Sequence, residues 1–81
     1  MSASTQARPT AVFAIRVEFS EDQLRVSLSD GREIVVPLEW FPRLRAASAE
    51  QRGHWRLIGQ GVGIRWEELD EDISVAGLLR C

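Results

Sequence analysis

Hydrophobic and polar residues begin to alternate after the first dozen positions. Phe13, Ile15, Val17 and Phe19 share one parity, while Ala14, Arg16 and Glu18 take the other. A period of two marks a half-buried strand. After the polar stretch Ser20-Glu21-Asp22-Gln23, Leu24, Val26 and Leu28 alternate with Arg25, Ser27 and Ser29. Asp30-Gly31 is a turn signal, and Ile34 and Val36 resume the alternation beyond it. Three strands are expected.

Their registers follow from the rule that directly opposed residues share a face. A two-residue Asp30-Gly31 loop would set Leu28 against Glu33 and mix charge into the apolar side. A three-residue loop, Ser29-Asp30-Gly31 with Gly31 left-handed, pairs Leu28 with Arg32, Val26 with Ile34 and Leu24 with Val36. In the preceding hairpin a four-residue loop pairs Phe19 with Leu24, Val17 with Val26 and Ile15 with Leu28. On its polar face Glu18 then stands opposite Arg25.

Pro37 ends the third strand, and the spacing changes to a helical one. Trp40, Leu44 and Ala47 stand at i, i+4, i+7, with Pro42 tolerable only in a first turn. Ser48-Ala49-Glu50-Gln51 has the form of a capping box, and Gly53 is a stop. A second hairpin follows. With Gln60-Gly61 as its loop, Trp55 faces Trp66, Leu57 faces Ile64 and Gly59 faces Val62. Residues 67–72 (EELDED) read as an acidic connection, and Ser74 as the cap of a last turn carrying Val75, Leu78 and Leu79. The expected fold class is α+β: an antiparallel β-β-β-α-β-β two-layer domain with a short C-terminal helix. Residues 1–11 are expected to be a disordered lead, and residues 12–81 a single domain.

Size and composition narrow the function. Eighty-one residues carry one small core. A net charge of −2 argues against a general nucleic-acid binder. No apolar run approaches the ~18 residues of a membrane span, and no secretory signal is visible, so a cytoplasmic protein is expected. The one cysteine, Cys81, permits neither an internal disulfide framework nor a multi-cysteine zinc site. All ten basic residues are Arg, a planar fork suited to paired carboxylates.

Three blocks, LSDGREIVVPLEWFPRL, EQRGHWRLIGQGVGIRW and LDEDISVAGLL, resemble the family known as domain of unknown function 2442 over roughly Phe13 to Arg80. The resemblance implies a small α+β domain of bacteria and their phages, without an established enzymatic activity. It also implies two settings. Some members precede a helix-turn-helix module, and others are encoded beside a second small protein in what look like toxin–antitoxin pairs. Members often have His and Pro around the last Trp; here Arg65 and Glu67 hold those places, so no role of that His carries over.

Candidate chemistry is sparse. Gly59-Gln60-Gly61-Val62-Gly63 lacks the following helix of a phosphate loop and reads as a hairpin. The acidic run lacks the Gly and Glu of an EF-hand loop. His54, the only histidine, falls opposite Glu67, and one His without a nearby Cys is a poor metal site. Trp40, Trp55 and Trp66 share parity or spacing with aliphatic neighbours, which predicts core packing. The register that buries Trp55 and Trp66 sets Arg56 opposite Arg65 on the other face, a like-charge pair that needs carboxylates. Those come either from this chain or from a partner. The expectation is therefore no catalysis, no cofactor and no metal. A protein partner, such as the product of a neighbouring gene, is expected to meet Arg56, Arg65, Glu67, Glu68, Asp70 and Asp72. Such a module would be antitoxin-like or inhibitor-like, with a regulatory, nucleic-acid-associated accessory domain as the alternative. A homodimer through an unpaired sheet edge is a further expectation.

Overall fold

The computed structural model describes residues 12–80; the expected lead over residues 1–11 and the terminal Cys81 lie outside the described residues. Strands β1 (Ala14–Phe19), β2 (Gln23–Leu28) and β3 (Glu33–Pro37) come first. A 3-10 turn (Leu38–Trp40), helix α1 (Pro42–Ala46) and helix α2 (Ala49–Gly53) connect them to β4 (Trp55–Ile58), β5 (Gly63–Trp66) and β6 (Glu71–Ser74), with a second 3-10 segment (Gly59–Gly61) between β4 and β5. Helix α3 (Val75–Leu79) closes the described chain. The class is α+β with a C-terminal helix, as expected, but the strands form two antiparallel sheets, ordered β1-β2-β3 and β4-β5-β6.

Local signals are realised closely. Phe19 pairs with Leu24, Val17 with Val26 and Glu18 with Arg25. Leu24 pairs with Val36 and Val26 with Ile34. Leu28 N donates to Arg32 O at 2.8 Å across a turn in which Gly31 has φ +94°. Pro42 opens α1, where its missing N–H costs no helical hydrogen bond. Ser48 Oγ accepts from Gln51 N while Gln51 Oε1 accepts from Ser48 N, completing the capping box. Ser74 Oγ caps α3 by accepting from Gly77 N at 2.9 Å.

Four expectations are corrected. Ile15 does not join the core: a bulge between Ala14 and Arg16 turns it outward at 58% exposure, and Ala14 pairs with Leu28 instead. Gly61 packs against this bulged segment, its α-carbon so close to β1 that an added Cβ would sit 2.5 Å from Ala14 O. Only glycine, without a Cβ, fits there. Trp40 belongs to the 3-10 turn rather than to a continuous helix and is 51% exposed, while Leu38 and Leu44 are buried. The second hairpin keeps its register, but its strands part at Ile58 and Gly63. Gly59, Gln60 and Gly61 between them all have positive φ. Finally, the end of the acidic connection is a strand, β6, pairing Ile64 with Ile73 and Arg65 with Asp72.

The second sheet contributes to the core alongside short helices. Five-residue helices offer too little apolar area to cover a sheet alone. Val17, Leu24, Val26 and Val36 of the first sheet join Ile64, Trp66 and Ile73 of the second in one cluster, with Leu38, Leu44, Val75 and Leu78 from the turns and helices. Phe19 meets Trp66 edge to face, with ring centroids 6.2 Å apart at 73°.

Candidate functional site

The alternation that buries Trp66 and Ile64 turns Arg65 to the opposite face of β5, and pairing carries it between Arg56 of β4 and Asp72 of β6. Three strands thus line up Arg, Arg and Asp. The turn after β5, with Asp70 left-handed at φ +52°, brings two more carboxylates back over this row. Arg65 donates from Nη1 to Asp72 Oδ1 at 2.9 Å and from Nη2 to Asp70 Oδ1 at 3.1 Å. Its Nε lies 3.3 Å from Glu67 Oε1. Arg56 donates to Glu67 Oε2 through Nε at 2.9 Å and also through Nη2. The like-charge pair is stable because the chain supplies carboxylates around it.

The six residues singled out from the sequence therefore gather on one exposed surface, but in different degrees. Arg65 is the best covered, at 23% side-chain exposure, whereas the Asp70 carboxylate is 81% exposed. Glu68 stands at the margin, its Oε1 3.1 Å from His54 Nδ1. His54 thus meets Glu68 rather than the expected Glu67, because the chain leaves the ladder after Trp66. Arg43, which no local spacing marks, belongs here too. It reaches from α1 to donate to Asp70 O at 2.5 Å and stands 3.9 Å from Glu71. A contact across 27 positions of sequence has no local signal.

Electrostatics follow the contacts. The hydrogen bond from Arg56 holds Glu67 below its ordinary carboxylate range against the opposing effect of desolvation, with a lesser contribution from the Arg65 hydrogen bond. Asp72 first and Asp70 second raise the basicity of Arg65, which stays charged at any accessible pH. A folded-state carboxylate made more acidic contributes stability above its unfolded value of 4.5, and loses it as pH falls through the lower folded value. In Arg56→Gln, carbon-detected NMR titration of the Glu67 carboxyl should move its midpoint up toward 4.5. An unmoved midpoint would show that Arg56 is not the cause.

Chemically, this surface is an array of fixed charges. The guanidinium of Arg65 fills the centre that Glu67, Asp70 and Asp72 would otherwise offer a cation. Among the described residues, no group of three or more His, Cys, Asp or Glu side chains is placed to hold a metal. No described polar or charged residue is buried. One arginine outside the surface serves the fold. Arg52 donates to Leu44 O and Arg45 O, each at 2.9 Å, lies 5.6 Å over the Phe19 ring, and accepts from Trp66 Nε1 through its own carbonyl. Among the described residues, no helix is long and apolar enough to cross a membrane.

Comparison with known proteins agrees with the resemblance drawn from the sequence. The model of the family described as "Protein of unknown function (DUF2442)" matches residues 14–80. The chain is also similar to a protein of unknown function from Rhodospirillum rubrum ATCC 11170 whose crystal structure is known. The two are 29% identical, with 88% of each chain covered and a TM-score of 0.74. No curated protein matches the chain.

Proposed function

The chain belongs to the DUF2442 family, and from that premise we propose that it is a non-catalytic protein-interaction module that binds and restrains a second protein, in the manner of an antitoxin or inhibitor. The surface built from Arg56, Arg65, Glu67, Glu68, Asp70 and Asp72 docks a basic face of that partner. One observation carries the reading: carboxylates more numerous than the arginines they contact are fixed in place on a strand row and turn, with Asp70 and Asp72 largely open to water. Preorganised charges of this kind steer encounter and set orientation. The all-hydrophobic described core supports a role that resides on the surface. A cytoplasmic location fits this proposal.

The test begins with co-purification from the native host and mass spectrometry of the bound protein. The purified pair is then titrated. Glu68→Lys and Asp70→Asn should each weaken the complex by about tenfold while circular dichroism shows an intact fold, Asn being tolerated at the left-handed φ of Asp70. Salt-dependent binding to DNA by the isolated domain would favour the regulatory alternative. Unchanged affinity in both variants, or turnover of a substrate, would overturn the proposal.

A further inference from the structure

A second surface lies away from the charged row. An open cavity of about 470 Å³ runs between β1 and the α2–β4 segment, lined by Val17, Phe19, Glu21, Ala49, Arg52 and Trp55 among others. One wall is a strand edge, since β1 pairs only with β2 within its sheet. Leu28 N donates toward β3, to Arg32 O, and Ser29 N donates toward β1, to Phe13 O. The alternation of an antiparallel ladder then turns Ser27 and Arg25 toward β1, and their partners Arg16 and Glu18 toward β2. The peptide groups of Val17 and Phe19 consequently point the other way, into the cavity. At the opposite end of the strand, Gly61 closes against Ala14, so the open part of the edge is the part facing the groove.

The charges of the groove are unequal in their commitments. Arg52 is spent on the Leu44 and Arg45 carbonyls, and Glu18 lies 3.7 Å from Arg16. Glu21 has no ion-pair or hydrogen-bond partner among the described residues, and exposed Asp22 follows it. An unpaired edge, an apolar wall of Val17, Phe19 and Trp55, and a free carboxylate at the rim together specify one kind of occupant.

We propose that the groove takes an extended, basic segment of a partner protein, added as a strand to the Val17–Phe19 edge, with alternate apolar side chains against Trp55 and a Lys or Arg at Glu21. This rests on the protein-interaction reading but uses a different surface. The probes are two libraries of eight-residue peptides in which apolar residues alternate with Lys in one and with Glu in the other, titrated into isotope-labelled protein. The basic library should give saturable amide shifts centred on Val17, Phe19 and Glu21. N-methylation of the best binder at the positions facing β1 should abolish binding, and at the opposite alternation should leave it. Glu21→Lys should weaken that peptide by about tenfold without altering the folded spectrum elsewhere. Failure of both libraries, preference for the acidic one, indifference to N-methylation, or shifts centred on Arg65 and Asp72 would overturn the proposal. None of these outcomes alters the readout of Glu68→Lys on the charged surface.

Discussion

Trp66→Ala should remove about 4 kcal/mol of folding stability, the largest single loss we expect in this domain. The side chain is wholly buried, and the surrounding cluster would be left with a cavity. The residue also joins parts that sequence keeps far apart. Its ring meets Phe19 of the first sheet, and its indole N–H donates to Arg52 O on α2 at 3.0 Å. Truncation would orphan that carbonyl in a part-buried position, adding about 1 kcal/mol to the transfer and cavity cost. A domain of this size holds roughly 4–12 kcal/mol in total. The variant should therefore be largely unfolded near 37 °C, or melt many degrees lower. Trp66→Phe separates the two contributions, keeping most of the ring while losing the hydrogen bond, and should cost about half as much. Urea unfolding followed by far-ultraviolet circular dichroism measures both. A loss below about 1 kcal/mol in Trp66→Ala would mean that the two sheets are not held through this residue.

Gly61→Ala should cost about 3 kcal/mol, although it adds a single methyl group. Two independent reasons act at this position. Its φ of +113° is a conformation that side-chain-bearing L-residues rarely adopt, and the new Cβ would lie 2.5 Å from Ala14 O and 2.9 Å from the Phe13 Cβ. Backbone atoms cannot step aside as a flexible side chain can, so the β4–β5 turn must lift from β1. Gly31→Ala isolates the first reason. Its φ is +94°, yet nothing lies within 4 Å of the added Cβ, so only conformational strain of about 1–2 kcal/mol is expected. Gly53→Ala has neither handicap and should be neutral or slightly stabilising. Thermal melts of the three variants should rank them in that order. Equal losses at Gly61 and Gly31 would show that the close approach to β1 is not a determinant of the fold.

Local sequence encodes short-range contacts and not approaches such as that of Gly61 to Ala14. Hairpin registers were legible because a residue's neighbour across a short turn is fixed by loop length and parity. Val26 therefore finds Ile34 and Trp55 finds Trp66 as the alternation requires. The capping box and the left-handed Gly31 were legible for the same reason, since their partners lie within a few residues. In the charged site, the opposition of Arg56 and Arg65 followed from that parity. The closure of Glu67, Asp70 and Asp72 around Arg65 did not, because a turn with positive φ at an Asp carries no strong local signature.

Strand β6 is not legible in the sequence, because Glu71-Asp72-Ile73-Ser74 has one apolar residue and an acidic composition. It becomes a strand only because Arg65 and Ile64 stand ready to receive Asp72 and Ile73. Trp40 has helical spacing from Leu44, yet the 3-10 turn rotates it off the core-facing line. By itself the sequence determined the strands' faces, the hairpin pairings and the helix caps, because each depends on backbone geometry over a few neighbouring residues. Only the tertiary structure decided that there are two sheets, that Ile15 is expelled by a bulge, and that β1 keeps an open edge beside a groove. Those outcomes depend on the approach of Gly61 to Ala14 and of Trp66 to Phe19, distant contacts that no local period encodes.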